Sequence, residues 1–188
     1  MALILSQNDH ISLDKEISGL RTITVELAWA LAGHVKGSLD VDASAFLLGV
    51  GGKVARPGDF VFYNNFRSSD GSVELLDPGR EAGGSFLVDF SKVAPSAWRL
   101  VFTLTIHEVE SGGHDFGLLT GGSIMVLNQK RRRREVAGYD FASANLRKST
   151  ALVCAEIRRE DAEWHFLAVG QGAGGGLAGL AKKYGVAI

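Results

Sequence analysis

Leu100-Val101-Phe102-Thr103-Leu104-Thr105-Ile106-His107 is the stretch from which the fold is read. Leu100, Phe102, Leu104 and Ile106 alternate with Val101, Thr103, Thr105 and His107. A period of two belongs to a β-strand, whose successive side chains point to opposite faces. The alternation returns on both sides of this stretch. Ile23, Val25, Leu27 and Trp29 share one face, with Thr22, Thr24 and Glu26 opposite. Phe60 and Phe62 alternate with Val61 and Tyr63, and Phe86, Val88 and Phe90 with Leu87 and Asp89. Ile124 to Leu127, Leu152 to Ile157 and Trp164 to Val169 read as further strands. Glycine, at 24 residues against three prolines, supplies the turns between them. Many β-branched and aromatic strands with few helical patterns predict an all-β, two-sheet β-sandwich.

One segment departs from period two. Leu177, Leu180, Ala181 and Tyr184 fall at i, i+3, i+4 and i+7, and Gly185 follows as a stop. That spacing predicts a short C-terminal amphipathic helix packed on the sandwich. A weaker helical turn is read near Ser91 to Ala97. No linker and no internal repeat interrupts the chain, so residues 1–188 are read as a single domain, long enough to bury a sizeable core.

Composition narrows the function. Lys plus Arg nearly balance Asp plus Glu, for a formal charge of −1. That balance argues against a general polyanion surface, and no nucleic-acid partner is expected. The single cysteine, Cys154, excludes an internal disulfide and a multi-cysteine zinc site. In Ala151-Leu152-Val153-Cys154-Ala155 it reads as a buried small hydrophobe. Met1-Ala2-Leu3-Ile4-Leu5 meets polar residues at once, so no secretory leader is expected. No run approaches the ~20 apolar residues of a membrane span. The expectation is a cytoplasmic protein, with a peripheral place at the inner membrane surface left open.

Four motifs carry possible chemistry. In Leu39-Asp40-Val41-Asp42, an extended backbone points both carboxylates at one spot while Phe46-Leu47-Leu48 anchors the segment. Paired oxygens on a strand suit a hard cation such as calcium, and the simpler reading is a polar turn feeding a buried strand. Gly170-Gln171-Gly172-Ala173-Gly174-Gly175 matches G-x-G-x-x-G, but a dinucleotide site needs a second parallel strand and a later acidic residue. A turn that folds the last helix back is expected instead. Lys130-Arg131-Arg132-Arg133-Arg134 reads as a solvated hairpin tip, or else as a patch for an acidic protein or phospholipid head groups. His107, Glu108, His114 and Asp115 form a local cluster that reads as strand-end polarity, with an enzyme or small-molecule site as the rival. No nucleophile elbow is present.

Four stretches resemble the TerD family of tellurium-resistance and stress proteins. They are Leu39 to Leu48, Phe60-Val61-Phe62-Tyr63-Asn64-Asn65, Phe86-Leu87-Val88-Asp89-Phe90-Ser91-Lys92-Val93, and the tail from Phe166 to Gly172 and Gly176 to Val186. The resemblance implies a two-sheet sandwich, calcium binding, and a role in resistance to tellurite and other chemical stress. A scaffold at the inner membrane surface is one proposal for such proteins. The chain departs from the family pattern in two places. Trp29-Ala30 stands where members usually carry Trp-Asp, and Leu75 to Gly84, with Arg80, replaces a longer acidic loop.

Asp40, Asp42, Asn64 and Asn65 carry over as candidate calcium ligands, with Asp77 as a further one. Charge count tunes calcium affinity, so two carboxylates with neutral amides imply no cofactor, or calcium held at about 10⁻⁴–10⁻³ M or weaker. The expectation is a non-catalytic binding or scaffold protein of a chemical-stress response with a degenerate calcium site. The alternative is a calcium-binding sensor retaining one weak site. Partners are expected among other stress-response or TerD-like proteins; the oligomeric state is not legible.

Overall fold

The computed structural model describes residues 2–33, 39–77, 83–107, 113–130, 134–141 and 146–187. Among them the strands in chain order are β1 (Leu3–Leu5), β2 (His10–Ser12), β3 (Thr22–Leu31), β4 (Val41–Leu48), β5 (Phe60–Val61) and β6 (Val73–Asp77). They continue with β7 (Gly83–Asp89), β8 (Arg99–Ile106), β9 (Leu119–Asn128), β10 (Arg134–Asp140), β11 (Ala151–Glu160) and β12 (Glu163–Ala173). Two helices join them, α1 (Leu13–Glu16) and α2 (Gly176–Tyr184).

The strands form two sheets, β1-β10-β9-β3-β7-β6 and β2-β12-β11-β8-β4-β5. Among the described residues, the strands pair antiparallel except β1 on β10, where Leu3 sits opposite Ala137. The β-sandwich expected from period two is the fold. Its main core lies between the sheets, where Ile23, Val25, Leu27 and Trp29 of β3 meet Leu100, Phe102, Leu104 and Ile106 of β8. Phe86 and Phe102 touch edge to face, with centroids 5.5 Å apart.

The second sheet is covered on both sides, which explains why β8 and β11 are apolar on both faces. Phe46, Leu48, Val101 and Val153 point away from the first sheet and form a smaller core with Phe60, Leu180 and Tyr184. Helix α2 is the lid on that core, as its i, i+3, i+7 spacing requires. Gly175, at φ +83°, starts it. Gly185, at φ +79°, ends it, with Val186 N–H reaching Ala181 O at 2.8 Å, the bond that closes a Schellman turn.

The structure departs from the reading in three places. Ser91 to Ala97 makes turns closed by Lys92 N–H to Asp89 O and Ala97 N–H to Ala94 O, rather than a helix. Helix α1 was not legible: four residues carry too little periodicity, although Ser12 caps it by accepting from Lys15 N–H at 3.3 Å. The glycine motif is mostly strand, since β12 runs through Gly170 and Gly172 and only Gly174-Gly175 turn the chain.

Candidate functional site

Strand β4 carries the candidate carboxylates at its start. Odd residues Val41, Ala43, Ala45 and Leu47 face the main core, and the opposite parity runs through Asp42, Ser44, Phe46 and Leu48. Phe46 and Leu48 therefore anchor the segment under α2, while Leu47 anchors it between the sheets. Asp42 is half-buried opposite Thr105 of β8, and Asp40 is exposed just before the strand. Ser44 and Thr103 hydroxyls meet at 2.7 Å one step further along, which lets this outer face bury polar groups. Asp40 O accepts from His107 N–H at 2.9 Å, so the exit of β8 fixes the entry of β4.

The amides come from the hairpin after β5. Phe62 and Asn65 exchange both backbone bonds, at 3.0 and 2.9 Å, and put Tyr63-Asn64 at the tip. Asn64 is exposed there. Asn65 is half-buried, and its side-chain amide braces the hairpin by donating to Phe60 O at 2.6 Å and Gly58 O at 3.3 Å. The tip reaches the strand end through Tyr63, whose ring stands edge-on to His107 at 6.3 Å. Asp40, Asp42 and the Asn64 hairpin therefore gather at one pole of the second sheet. Sequence reasoning missed Tyr63 as the link and placed His107 in another cluster.

A row of rings ties this pole to the C-terminal helix. Tyr184 leans on Phe46 at 4.8 Å, Phe46 stacks on Phe60 at 4.4 Å, and Phe60 stacks on Phe62 at 4.2 Å. Phe62 meets Tyr63 edge-on at 5.1 Å. Burial, with Glu156 nearby, pushes the Tyr184 hydroxyl up to about 12. The ring is therefore neutral and serves as packing across the physiological range.

The other residues singled out from sequence find structural roles. Asp115 accepts from Gly117 N–H at 2.7 Å and Lys148 N–H at 2.8 Å, capping a short 3₁₀ turn. Glu108 lies outside the described residues. Asp77 ends β6 in the first sheet, opposite Ser85, and Arg80 lies outside the described residues. The ends of the basic run reach the turn after α1: Lys130 Nζ donates to Gly19 O at 2.9 Å and Arg134 to Glu16 O at 3.5 Å. Arg131 to Arg133 lie outside the described residues. Cys154 is fully buried in the main core, and burial pushes its thiol well above the usual range. It stays protonated.

A family model described as the TerD domain matches residues 1–184. The chain belongs to the TerD family. It is 36% identical over 191 residues to the tellurium resistance protein TerD of Serratia marcescens, covering 99% of this chain and 98% of that one. It is 32% identical over 194 residues to general stress protein 16U of Bacillus subtilis, covering the whole of both. A solved structure of a TerD homologue from Streptomyces coelicolor superposes with a TM-score of 0.67, at 19% identity over 87% of this chain and 96% of that one. That likeness shows the sandwich.

Asp40, Asp42 and the exposed Asn64 are, among the described residues, the candidate oxygen donors at this end of the sheet, while the Asn65 amide nitrogen already holds its hairpin. Among the described residues, no three His, Cys, Asp or Glu side chains are grouped closely enough to hold a metal. Oxygen donors of this type fit calcium better than a transition metal, and backbone carbonyls and water would have to complete the shell.

Proposed function

We propose that this TerD-family chain acts as a non-catalytic binding and scaffold protein in a chemical-stress response of the tellurite-resistance type, with a sparse calcium site at the Asp40–Asp42 pole. The family match and the full-length relatives named for tellurium resistance and general stress support the physiological setting. The observation that carries the molecular reading is the meeting of Asp40, Asp42 and the Tyr63-Asn64 tip through His107. Among the described residues, the candidate hard oxygens at this end bring two negative charges, those of Asp40 and Asp42. Affinity then falls at about 10⁻⁴–10⁻³ M or weaker. Calorimetry with millimolar calcium tests this; micromolar binding overturns the sparse site. A cytoplasmic setting beside other stress-response proteins goes with the proposal. Among the described residues no helix is long and apolar enough to cross a membrane.

The ring row favours a second reading, a calcium sensor. An ion ordering the Asn64 hairpin would bear on Tyr63, and from there on the stack that ends at Tyr184. In that case calcium alters the environment of α2. Unchanged α2 amide resonances at saturating calcium remove the sensor and leave the scaffold.

A further inference from the structure

We propose that the opposite pole of the second sheet is a docking site for an acidic segment of a partner protein, anchored by an apolar side chain between Trp98 and Val50 and held by Arg99 and Arg158. It rests on the scaffold reading for the kind of partner. It lies six residues along β4 from Asp42, about 20 Å at strand rise.

An open recess of ≈ 390 Å³ lies here, between the glycine-rich loop after β4, the start of β8 and the end of β11. Two of its walls are large apolar groups left in water. Val50 is 81% exposed between Gly49 and Gly51, and Trp98 is 44% exposed. Trp98 is held in place by its backbone, donating to Leu48 O at 2.8 Å and accepting from Arg159 N–H at 2.9 Å. The chain's other tryptophans, Trp29 and Trp164, are buried in the main core. An exposed tryptophan on a fixed backbone beside arginines has the composition of an interface anchor.

The charge around the recess is under-compensated. Arg99 and Arg158 share Glu156 at 3.6 and 3.8 Å, and Arg158 approaches Glu160 at 3.6 Å. These contacts exceed the ~2.7–2.9 Å of a charge-assisted hydrogen bond. Among the described residues, Arg158 Nε is buried without a hydrogen-bond partner. Arg159 pairs with no carboxylate among the described residues; its guanidinium lies 4.6 Å over the Trp164 ring. That places it on the inner face of β11, opposite Arg158, so the charge facing the recess comes from Arg99 and Arg158. Gly52 abuts Arg99, and the next residue, Lys53, bonds to Lys183 O, so exposed Lys182 and Lys183 of α2 continue the positive surface. Glu160 also lines the recess, but Arg99, Arg158 and the nearby Lys182 and Lys183 outnumber Glu156 and Glu160, and with Val50 and Trp98 on its walls it complements a carboxylate-rich strand carrying one apolar residue. A flat bilayer would not fill it.

The test uses the full ¹⁵N-labelled chain and a blocked peptide with one leucine flanked by aspartates and glutamates. The expected result is a shift of the Trp98 indole N–H and the Arg99 and Arg158 Nε–H resonances with one common Kd that weakens as salt rises. Trp98→Ala and Arg99→Gln each weaken binding about tenfold. Val50→Asp, on an exposed loop, serves if either variant unfolds. Peptides with glycine for the leucine, or with asparagine and glutamine for the acids, bind more weakly. No shift at millimolar peptide, or equal affinity for either control peptide, overturns the proposal. So does tighter binding of ATP or of equimolar phosphatidylcholine–phosphatidylserine vesicles, which would assign the recess to phosphates. Calcium titration reads the other pole, and Asp42→Asn should leave peptide binding unchanged, so the two readings fail separately.

Discussion

Asp70 gathers four donors: Ser68 Oγ at 2.8 Å, Ser72 N–H at 2.9 Å, Ser72 Oγ at 2.6 Å and Ala94 N–H at 3.0 Å. It thereby ties the turn before β6 to the turns after β7. Burial raises its pKa, but the bonds from Ser72, Ala94 and Ser68 outweigh that and leave the carboxyl below its ordinary 3.8. Asp89 is lowered too, first by Ser91 and against some burial, then by Lys92. Lowered carboxylates stabilise the fold fully above the unfolded value, and that stability drains away as pH falls through the folded value. Acid unfolding should therefore steepen below pH 3.8, and Asp70→Asn should flatten that limb in urea titrations at successive pH values. At neutral pH, Asp70→Ala should cost about 1–3 kcal/mol by stranding these donors. Gly170 is the other exacting position. It sits at φ +61° with the Tyr139 hydroxyl where a Cβ would go. Gly170→Ala should lose roughly 2–4 kcal/mol, from backbone strain plus overpacking, read as a lower urea midpoint.

At the scale of the element, α2 does more than close the chain. Without it Phe46, Leu48, Val101 and Val153 would lie bare on the outer face of the second sheet. Tyr184 is the keystone, buried against Phe46. Tyr184→Ala should cost about 3–5 kcal/mol, as other large aromatic truncations do, and raise binding of an apolar dye. Through the stacked rings the same variant should shift the His107 resonances, although His107 lies on another element. An unmoved His107 would mean that the stack is only packing. The helix was legible because its apolar residues repeat at helical spacing. The stack was not: Phe46, Phe60 and Phe62 become neighbours only after β4 pairs with β5 and the hairpin folds back.

Over the whole molecule, the second sheet presents two chemically different poles, with Asp40 and Asp42 at one and Arg99 and Arg158 at the other. The near-zero formal charge conceals this separation. If calcium binds near 10⁻³ M, then ten-millimolar calcium adds about 1.4 kcal/mol by mass action, or about 3–6 °C in Tm for a chain of this size. Asp42→Asn should abolish the rise in a thermal melt. A larger rise that survives the substitution would place the ion elsewhere.

Period two, turn glycines and one i, i+3, i+4, i+7 segment sufficed to read two sheets and a closing helix, because each of those signals lies within a dozen neighbouring residues. Asp40 and Asp42 were visible as a pair for the same reason. Their company was decided by tertiary structure alone: Tyr63 and His107 reach them across sheet pairing, and Asn65 spends its amide on its own hairpin. The arginine–tryptophan recess was equally hidden. Trp98, Val50 and Arg158 are far apart in the chain and carry no shared spacing, and only the register of β4, β8 and β11 brings them to one place.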